Sequence, residues 1–447
     1  MQFQMNSRRI WGWYFFDWAS QPYNTLLLTF IFGPYVTELV GDGTAAQSAW
    51  GYGVGAAGVV IALLAPLLGS IADRTGPGTR MLFIWVFSAC YVIGAWSLWA
   101  AAPDSFNLWM TLAFFGLGLL GMEFATIFTN AMLPDLAPKG KIGRVSGNGW
   151  AFGYLGGLLA LIFMLVFLAD NASTGKTLIG LDPPFGLDAT KREGTRAVGP
   201  FTALWFMVFM IPFFAWVHAP KPPPIATVLE ASRAAWPDLK ATLRGLRHRA
   251  SLRNYLIASM LYRDALNGLY FFGGVYAAGV LNWSVIDVGV FGILAVVSAT
   301  VVAWIGGMCD ERFGPMPVIV VSILCLIGAT LAAIFISRAS VFGMAVEASS
   351  RLPDIAFYGV GVVIGAAGGA LQASSRTMMV FQAEKGHATR EFGLYALAGK
   401  ATSFAAPILV AVTTDLTGSQ QLGITPLLAL FIGGLIVLGW VKSDGEQ

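Results

Sequence analysis

Five ionisable side chains interrupt long apolar runs: Asp17, Glu123, Arg263, Asp264 and Lys400. A charge at the centre of a membrane helix costs about 2.5 to 3.5 kcal/mol on insertion scales, so such residues mark a solute path or an internal gate. Three acids stand against two bases, which leaves one carboxylate short of a strong partner and available as a proton carrier. Glu123 is the candidate, because Asp264 adjoins Arg263 and Asp17 is expected to face the seventh span. Polar neighbours extend the layer along single helix faces at spacings of four and three: Asp17, Gln21 and Asn24 on one, Arg263, Asn267 and Tyr270 on another. A zwitterion such as an amino acid needs an acceptor for its ammonium group and a donor for its carboxylate, and Arg263 with Asp17 or Glu123 supplies both. The alternative is a layer salt-bridged on itself, closing the cytoplasmic side without touching solute. Lys400 has the further option of snorkelling to the inner surface.

Helices in a bilayer must carry these residues. The 447-residue chain is 56% apolar and 11% charged with a mean hydropathy of +0.69, whereas soluble domains carry about 25% charged residues. Windows of about 20 apolar residues cross a bilayer core, and twelve occur, near 10–38, 49–72, 81–102, 106–131, 146–169, 199–217, 253–279, 285–308, 316–337, 354–379, 390–413 and 421–441. An all-α membrane protein with twelve transmembrane helices is expected. The first run is too long for a signal peptide and contains Asp17. A net charge of +3 without a polybasic run argues against nucleic acid. Cys90, Cys309, Cys325, His218, His248 and His387 fall at no metal-ligand spacing, so neither metal nor cofactor is expected. Gly53, Gly55 and Gly58 match a dinucleotide fingerprint, but inside a span they read as close helix packing.

Sorting Lys and Arg by side gives 19 on the inner face and six on the outer, which places both termini in the cytoplasm and the protein in the cell (inner) membrane. Residues 170–198 read as a solvated outer connector rather than a lid. Residues 218–252 open with a proline cluster at 220–224 and continue as an amphipathic helix with Leu229, Trp236, Leu239, Leu243 and Leu246, an inner-surface linker. The expected organisation is a six-helix bundle over 1–217, the linker over 218–252 and a second six-helix bundle over 253–447.

The halves repeat. Gly69, Asp73, Arg74 and Gly76 recur 238 residues later as Gly307, Glu311, Arg312 and Gly314, and Lys139, Gly140, Arg144 and Gly147 recur 246 residues later as Lys385, Gly386, Arg390 and Gly393. Asp17 and Asp264, 247 apart, read as equivalents. The first signature, with Arg80 as its following base, resembles the loop between spans two and three of the major facilitator superfamily. Tyr14 to Ala19, Glu123 with Asn130 to Pro134, Tyr262 to Asp264, Gln372 to Arg376 and Phe392 to Lys400 resemble the UMF1 family, which includes the Atg22-like vacuolar amino-acid effluxers. Arg263 and Ala265 depart from that family's pattern. The resemblance implies two pseudo-symmetric bundles, a cavity lined by spans 1, 4, 7 and 10, and Asn130 and Gln372 added to the substrate-binding set. Asp73, Arg74, Gly76, Arg80, Glu311, Arg312, Gly314, Arg144 and Arg390, at inner helix ends, are expected to latch conformations rather than bind solute.

The expected function is secondary active transport of a small polar solute, an amino acid or similar zwitterion, by alternating access, with proton coupling left open. No phosphate-binding loop for ATP is present and no enzyme constellation appears. A transporter-like sensor signalling through the linker is the alternative. A monomer whose partners are solute, lipid and, where coupled, protons is expected.

Overall fold

The computed structural model describes residues 6–41, 43–171, 174–218, 226–281, 283, 285–347, 349–384, 387–402 and 405–445. The linker prolines at 220–224, Lys385 and Gly386 lie outside these, as do the side chains of Lys139 and Lys400.

The chain is helical apart from one short hairpin. In order come α1 (Ser7–Pro22), α2 (Phe32–Val40), α3 (Gly43–Thr75), α4 (Pro77–Ser97), α5 (Leu108–Asn130), α6 (Lys139–Phe163), α7 (Glu193–Arg196), α8 (Val198–Phe209), α9 (Ile211–Trp216) and α10 (Val228–Gly245). Then follow α11 (Ala250–Leu281), α12 (Val285–Phe313), α13 (Pro315–Ile334), β1 (Ser340–Val341), β2 (Met344–Ala345), α14 (Leu352–Gln382), α15 (Ala388–Ala401), α16 (Ala405–Thr417), α17 (Gln420–Gly423) and α18 (Thr425–Leu438). Nine helices among the described residues are long and apolar enough to cross a membrane. The other three expected spans are α1 with α2, α11, and α15 with α16. These three carry the polar residues of interest, Asp17, Gln21 and Asn24, then Arg263, Asp264 and Asn267, then Arg390, Glu391 and Lys400.

Local chemistry sets several boundaries. Asn6 caps α1 by accepting from the Arg9 N–H at 3.3 Å, and Asn107 caps α5 by accepting from Met110 at 3.0 Å. Pro22 ends the regular ladder of α1, and residues Tyr23–Phe30 continue as a π-helix. The linker helix α10 opens on a capping box: Thr227 Oγ1 accepts from the Glu230 N–H at 3.3 Å while Glu230 accepts from the Thr227 N–H at 2.9 Å, which holds the Glu230 carboxyl below its usual range. On α10, Ala231, Ala235 and Leu239 are buried, whereas Leu229, Trp236 and Leu243, seven residues apart, form an exposed apolar stripe suited to a membrane surface.

Two compact units emerge, one comprising Met1–Met132 and Phe152–Arg233, the other Leu133–Ala151 and Ala234–Gln447. The inner end of α6 thus packs with the second unit and its remainder with the first. In the first unit α4 and α5 approach closely because Gly94, Gly118 and Gly121 leave no side chain between them; a Cβ on Gly94 would lie 2.6 Å from the Gly118 Cα. In the second, α12 and α14 do the same at Gly369, where a Cβ would lie 2.6 Å from the Ala299 carbonyl oxygen.

The outer segment 170–198 differs from a solvated connector. Asp170 is buried, and its carboxylate accepts from the Thr195 N–H at 2.7 Å, the Thr195 hydroxyl at 2.9 Å and Arg192 Nη1 at 2.7 Å. Arg192, held in the left-handed region at φ +53°, also clasps Glu38 of α2 through Nε and Nη2 at 3.0 and 2.9 Å. Burial works against the Arg192 charge, but hydrogen bonds from Glu38 and Asp170 and their negative charges outweigh it and raise its pKa. The tip stays open to solvent, where Thr190 donates to Asp188 through hydroxyl and N–H and holds that carboxyl below its usual range. Between α13 and α14 the connector forms the hairpin β1–β2, whose turn residues Phe342 and Gly343 both have positive φ, +52° and +81°.

Candidate functional site

In the first unit α1 and α5 run side by side, pinned by Trp13 Nε1 donating to the Thr129 carbonyl at 2.8 Å and by Tyr23 donating to the Phe115 carbonyl at 2.6 Å. Asn24 Nδ2 reaches the Met122 sulfur at 4.0 Å. These contacts bracket Asp17 and Gln21 on α1 and Glu123 on α5, so the three half-buried groups occupy neighbouring levels of two packed helices. Asn130 is half-buried at the last residue of α5, about two turns from Glu123. A glycine face on α6 makes room for the polar face of α1: a Cβ at Gly153 would lie 3.2 Å from the Asp17 Cβ, and one at Gly157 2.8 Å from Gln21 Cγ.

The second unit repeats this construction with different chemistry. Arg263 on α11 lies against Gly399 of α15, where a Cβ would meet the guanidinium at 2.7 Å. Its charge stacks on the Tyr395 ring, 4.2 Å from the centroid, and Nη1 donates to the Tyr395 carbonyl at 3.2 Å. Gly153 and Gly399 are 246 residues apart, as are Asp17 and Arg263. Asp17 and Arg263, an acid and a base, thus each lie against one member of this glycine pair, Gly153 meeting the Asp17 backbone and Cβ and Gly399 the far end of the Arg263 side chain. Asp264, one residue on, turns about 100° around the helix. It is 2% exposed, and its Oδ1 has no hydrogen-bond partner among the described residues.

Asn267 and Tyr270 are exposed along α11, and Tyr270 hydrogen-bonds the half-buried Gln372 of α14. Tyr270 packs on Gly368 as Tyr23 packs on Gly118. Sequence reading passed over Tyr23, although the regular 247-residue offset to Tyr270 contained it. Also missed was Tyr255, whose hydroxyl donates to the Ser375 carbonyl at 2.5 Å beside the Tyr262 hydroxyl, which meets Ser375 Oγ at 2.9 Å. Lys400 lies on α15 beside Gly399, and its side chain is outside the described set.

The inner-end signatures share a backbone. Gly76 and Gly314 adopt φ +90° and +80°, each is followed by a proline that starts the next helix, and their N–H groups close onto Ala72 and Asp310 carbonyls at 2.9 Å each. Only glycine enters that conformation without strain, which accounts for the repeated spacing. The charged members diverge. Asp73 pairs with Arg80 at 3.6 Å, whereas Glu311 pairs with Arg144 of α6 at 3.5 Å. Arg390 approaches Glu384 at 4.0 Å, in a cluster where Arg249 bonds Glu391. Arg312 is exposed over Phe313, and Arg74 lies at the end of α3.

Arg80 Nη1 also donates to the Ala131 carbonyl at 3.4 Å, next to Asn130. Asp73→Asn is expected to slow solute flux well beyond any loss of equilibrium binding. Parallel flux and calorimetric measurements check it; equal losses in both would assign Asp73 to binding.

Residues 34–446 match the family described as "Vacuole effluxer Atg22 like". The chain is 25% identical over 446 residues to the MFS-type transporter YxiO of Bacillus subtilis (strain 168), covering 97% of this chain and 94% of that protein. It is 24% identical over 317 residues to autophagy-related protein 22-2 of Emericella nidulans, covering 66% of this chain and about half, 49%, of that longer protein. The fold is similar to that of the human organic anion transporter MFSD10 (TETRAN), with a TM-score of 0.68 at 17% identity over 96% of this chain and 99% of that one. A polytopic fold shared end to end with major facilitator transporters, and a family match over nearly the whole length, make this chain a multi-pass membrane transporter of the Atg22-like family in the major facilitator superfamily.

Proposed function

We propose that the protein moves an amino acid or similar zwitterion by secondary active, alternating-access transport. The observation that carries this reading is the matched pair of glycine-backed positions, Asp17 against Gly153 and Arg263 against Gly399. Each repeat thereby sets one charge of opposite sign against a glycine, and a zwitterion carries the complementary two. Glu123 beside Asp17 on α5 supplies a second acid, and we assign it the coupling proton. Gln21, Asn24, Asn130, Asn267, Tyr270, Gln372, Asp264 and Lys400 complete the proposed recognition set. The segments 1–217 and 253–447 act as the two rocking bundles, joined by the 218–252 linker. The protein works as a monomer in the cell membrane.

Purified protein in liposomes, offered a panel of labelled amino acids with and without an imposed pH difference, tests the function. Uptake of at least one is expected; binding without turnover would instead mark a sensor. Orientation is tested separately. The 19 to six basic asymmetry places both termini inside, so a cysteine at Thr174 reacts with an impermeant maleimide on intact cells and one at Ser232 reacts only after lysis. The opposite labelling pattern reverses the topology.

A further inference from the structure

The repeat leaves one buried acid unexplained. Asp310 on α12 precedes Glu311 and takes the place of Ala72 in the first half. It is 5% exposed; Oδ1 accepts from the Ser374 hydroxyl at 2.7 Å, and Oδ2 has no hydrogen-bond partner among the described residues. Thr377, one turn further on α14, donates its hydroxyl to the Ala373 carbonyl at 3.2 Å.

The inner end of α6 covers this carboxyl. Gly143 lies directly over Asp310, where any Cβ would collide with the Asp310 Cβ, and a Cβ at Gly147 would lie 2.5 Å from the Gly307 Cα. On the α14 side, Ser146 Oγ donates to the Ala373 carbonyl at 2.8 Å, while Arg376 Nε donates to Ser146 Oγ at 2.9 Å and Nη2 to the Ser146 carbonyl at 2.6 Å. Three helices therefore meet at Asp310, with α6 and α12 closely packed at Gly143 and Gly147.

The neighbouring charges are committed elsewhere. On α14, Arg376 holds Ser146 and stacks over Trp150 at 5.5 Å. On α6, Arg144 pairs with Glu311 of α12, and Lys141 is exposed. Arg312 of α12 lies over Phe313, and α13 carries no charged residue. Among the described residues Asp310 makes no ion pair.

We propose that Asp310 is a proton-binding site that controls whether the inner end of α6 is docked on α12 and α14. An ionised carboxylate sealed under Gly143 with one uncapped oxygen is unfavourable, whereas the neutral acid leaves no buried charge. Withdrawal of α6 admits water to Oδ2, and the proton leaves to that water. Binding and docking are then linked: acid favours the docked arrangement, and docking is lost as pH rises. This site is separate from Glu123 and needs no solute, so it goes beyond the transport reading and survives its failure.

The test is a distance measurement by double electron–electron resonance in lipid nanodiscs. Spin labels replace the exposed Lys141 and Phe313, on α6 and α12, with Cys90, Cys309 and Cys325 changed to serine. The otherwise native chain should show a short distance in acid and a growing longer population in alkali. Asp310→Asn should keep the short distance at every pH. Ser374→Ala, which removes the Oδ1 donor and is mild enough to fold, should leave the carboxylate less supported when docked and shift the loss of docking to lower pH. A pH-independent distance in the native sequence, or native-like pH dependence in Asp310→Asn, overturns the proposal. An unshifted transition in Ser374→Ala does so as well if the asparagine variant fails to fold.

Discussion

Glu123→Gln should abolish accumulation driven by an imposed pH difference while leaving exchange between equal solute pools largely intact. Exchange returns each bundle to its starting protonation state and needs no net proton movement, whereas uphill uptake requires a group that loads on one side and unloads on the other. Glu123 is half-buried on α5, at the level where α1 presents Asp17 and Gln21. Glutamine keeps the shape and most hydrogen-bonding capacity and removes only the titration, so solute recognition should persist. Liposomes with matched and mismatched internal pH separate the two rates. Continued uphill uptake in the glutamine variant would remove Glu123 from the coupling role and pass it to Asp264, whose carboxyl has an oxygen with no hydrogen-bond partner among the described residues.

Arg263→Ala should act on recognition instead. A hydrogen bond to a charged group contributes about 1.5 to 3 kcal/mol, so losing the carboxylate anchor weakens solute binding by about 10- to 100-fold at about 1.4 kcal/mol per decade. Exchange and accumulation should then fall together, unlike the split expected for Glu123→Gln. The Gly399 and Tyr395 seat would be left empty in the variant, and Arg263→Lys would not refill it, because a guanidinium stacks flat on the ring and forks its donors where an ammonium cannot. Calorimetric titration of the alanine and lysine variants measures the effect. Unchanged affinity in Arg263→Ala would return the charged layer to a purely structural gate.

What the sequence disclosed follows from which signals are local. Apolar length is local, and the nine helices that meet it among the described residues coincide with expected spans. The repeated spacing of Gly76 and Gly314 was also legible, and their positive φ before a proline gives its physical reason. The partner of each charge was not legible. Arg80 follows one repeated signature and Arg144 belongs to the other, yet the first closes on Asp73 within its own neighbourhood and the second on Glu311 from a distant helix. Gly153 and Gly399, 246 residues apart, lie against Asp17 and Arg263, contacts that the 247-residue offset from Asp17 to Asp264 does not disclose. Asp310 escaped notice because the repeat drew attention to its neighbour Glu311, and only three-helix packing shows which of the two acids is buried. In the outer segment, Asp170 and Arg192 are 22 residues apart, too far for any periodicity to join.

Counterflow with chemically trimmed competitors tests most directly whether the solute is recognised by both of its charges. Liposomes preloaded with an unlabelled amino acid that the protein accepts would draw in the labelled form, and competitors would be added outside: the parent amino acid, its carboxamide, its N-acetyl derivative, and a neutral sugar. The account predicts that only the intact zwitterion competes strongly, because the carboxamide gives Arg263 no anion and the N-acetyl compound gives Asp17 no ammonium. Equal competition by the N-acetyl acid or by the sugar would contradict it.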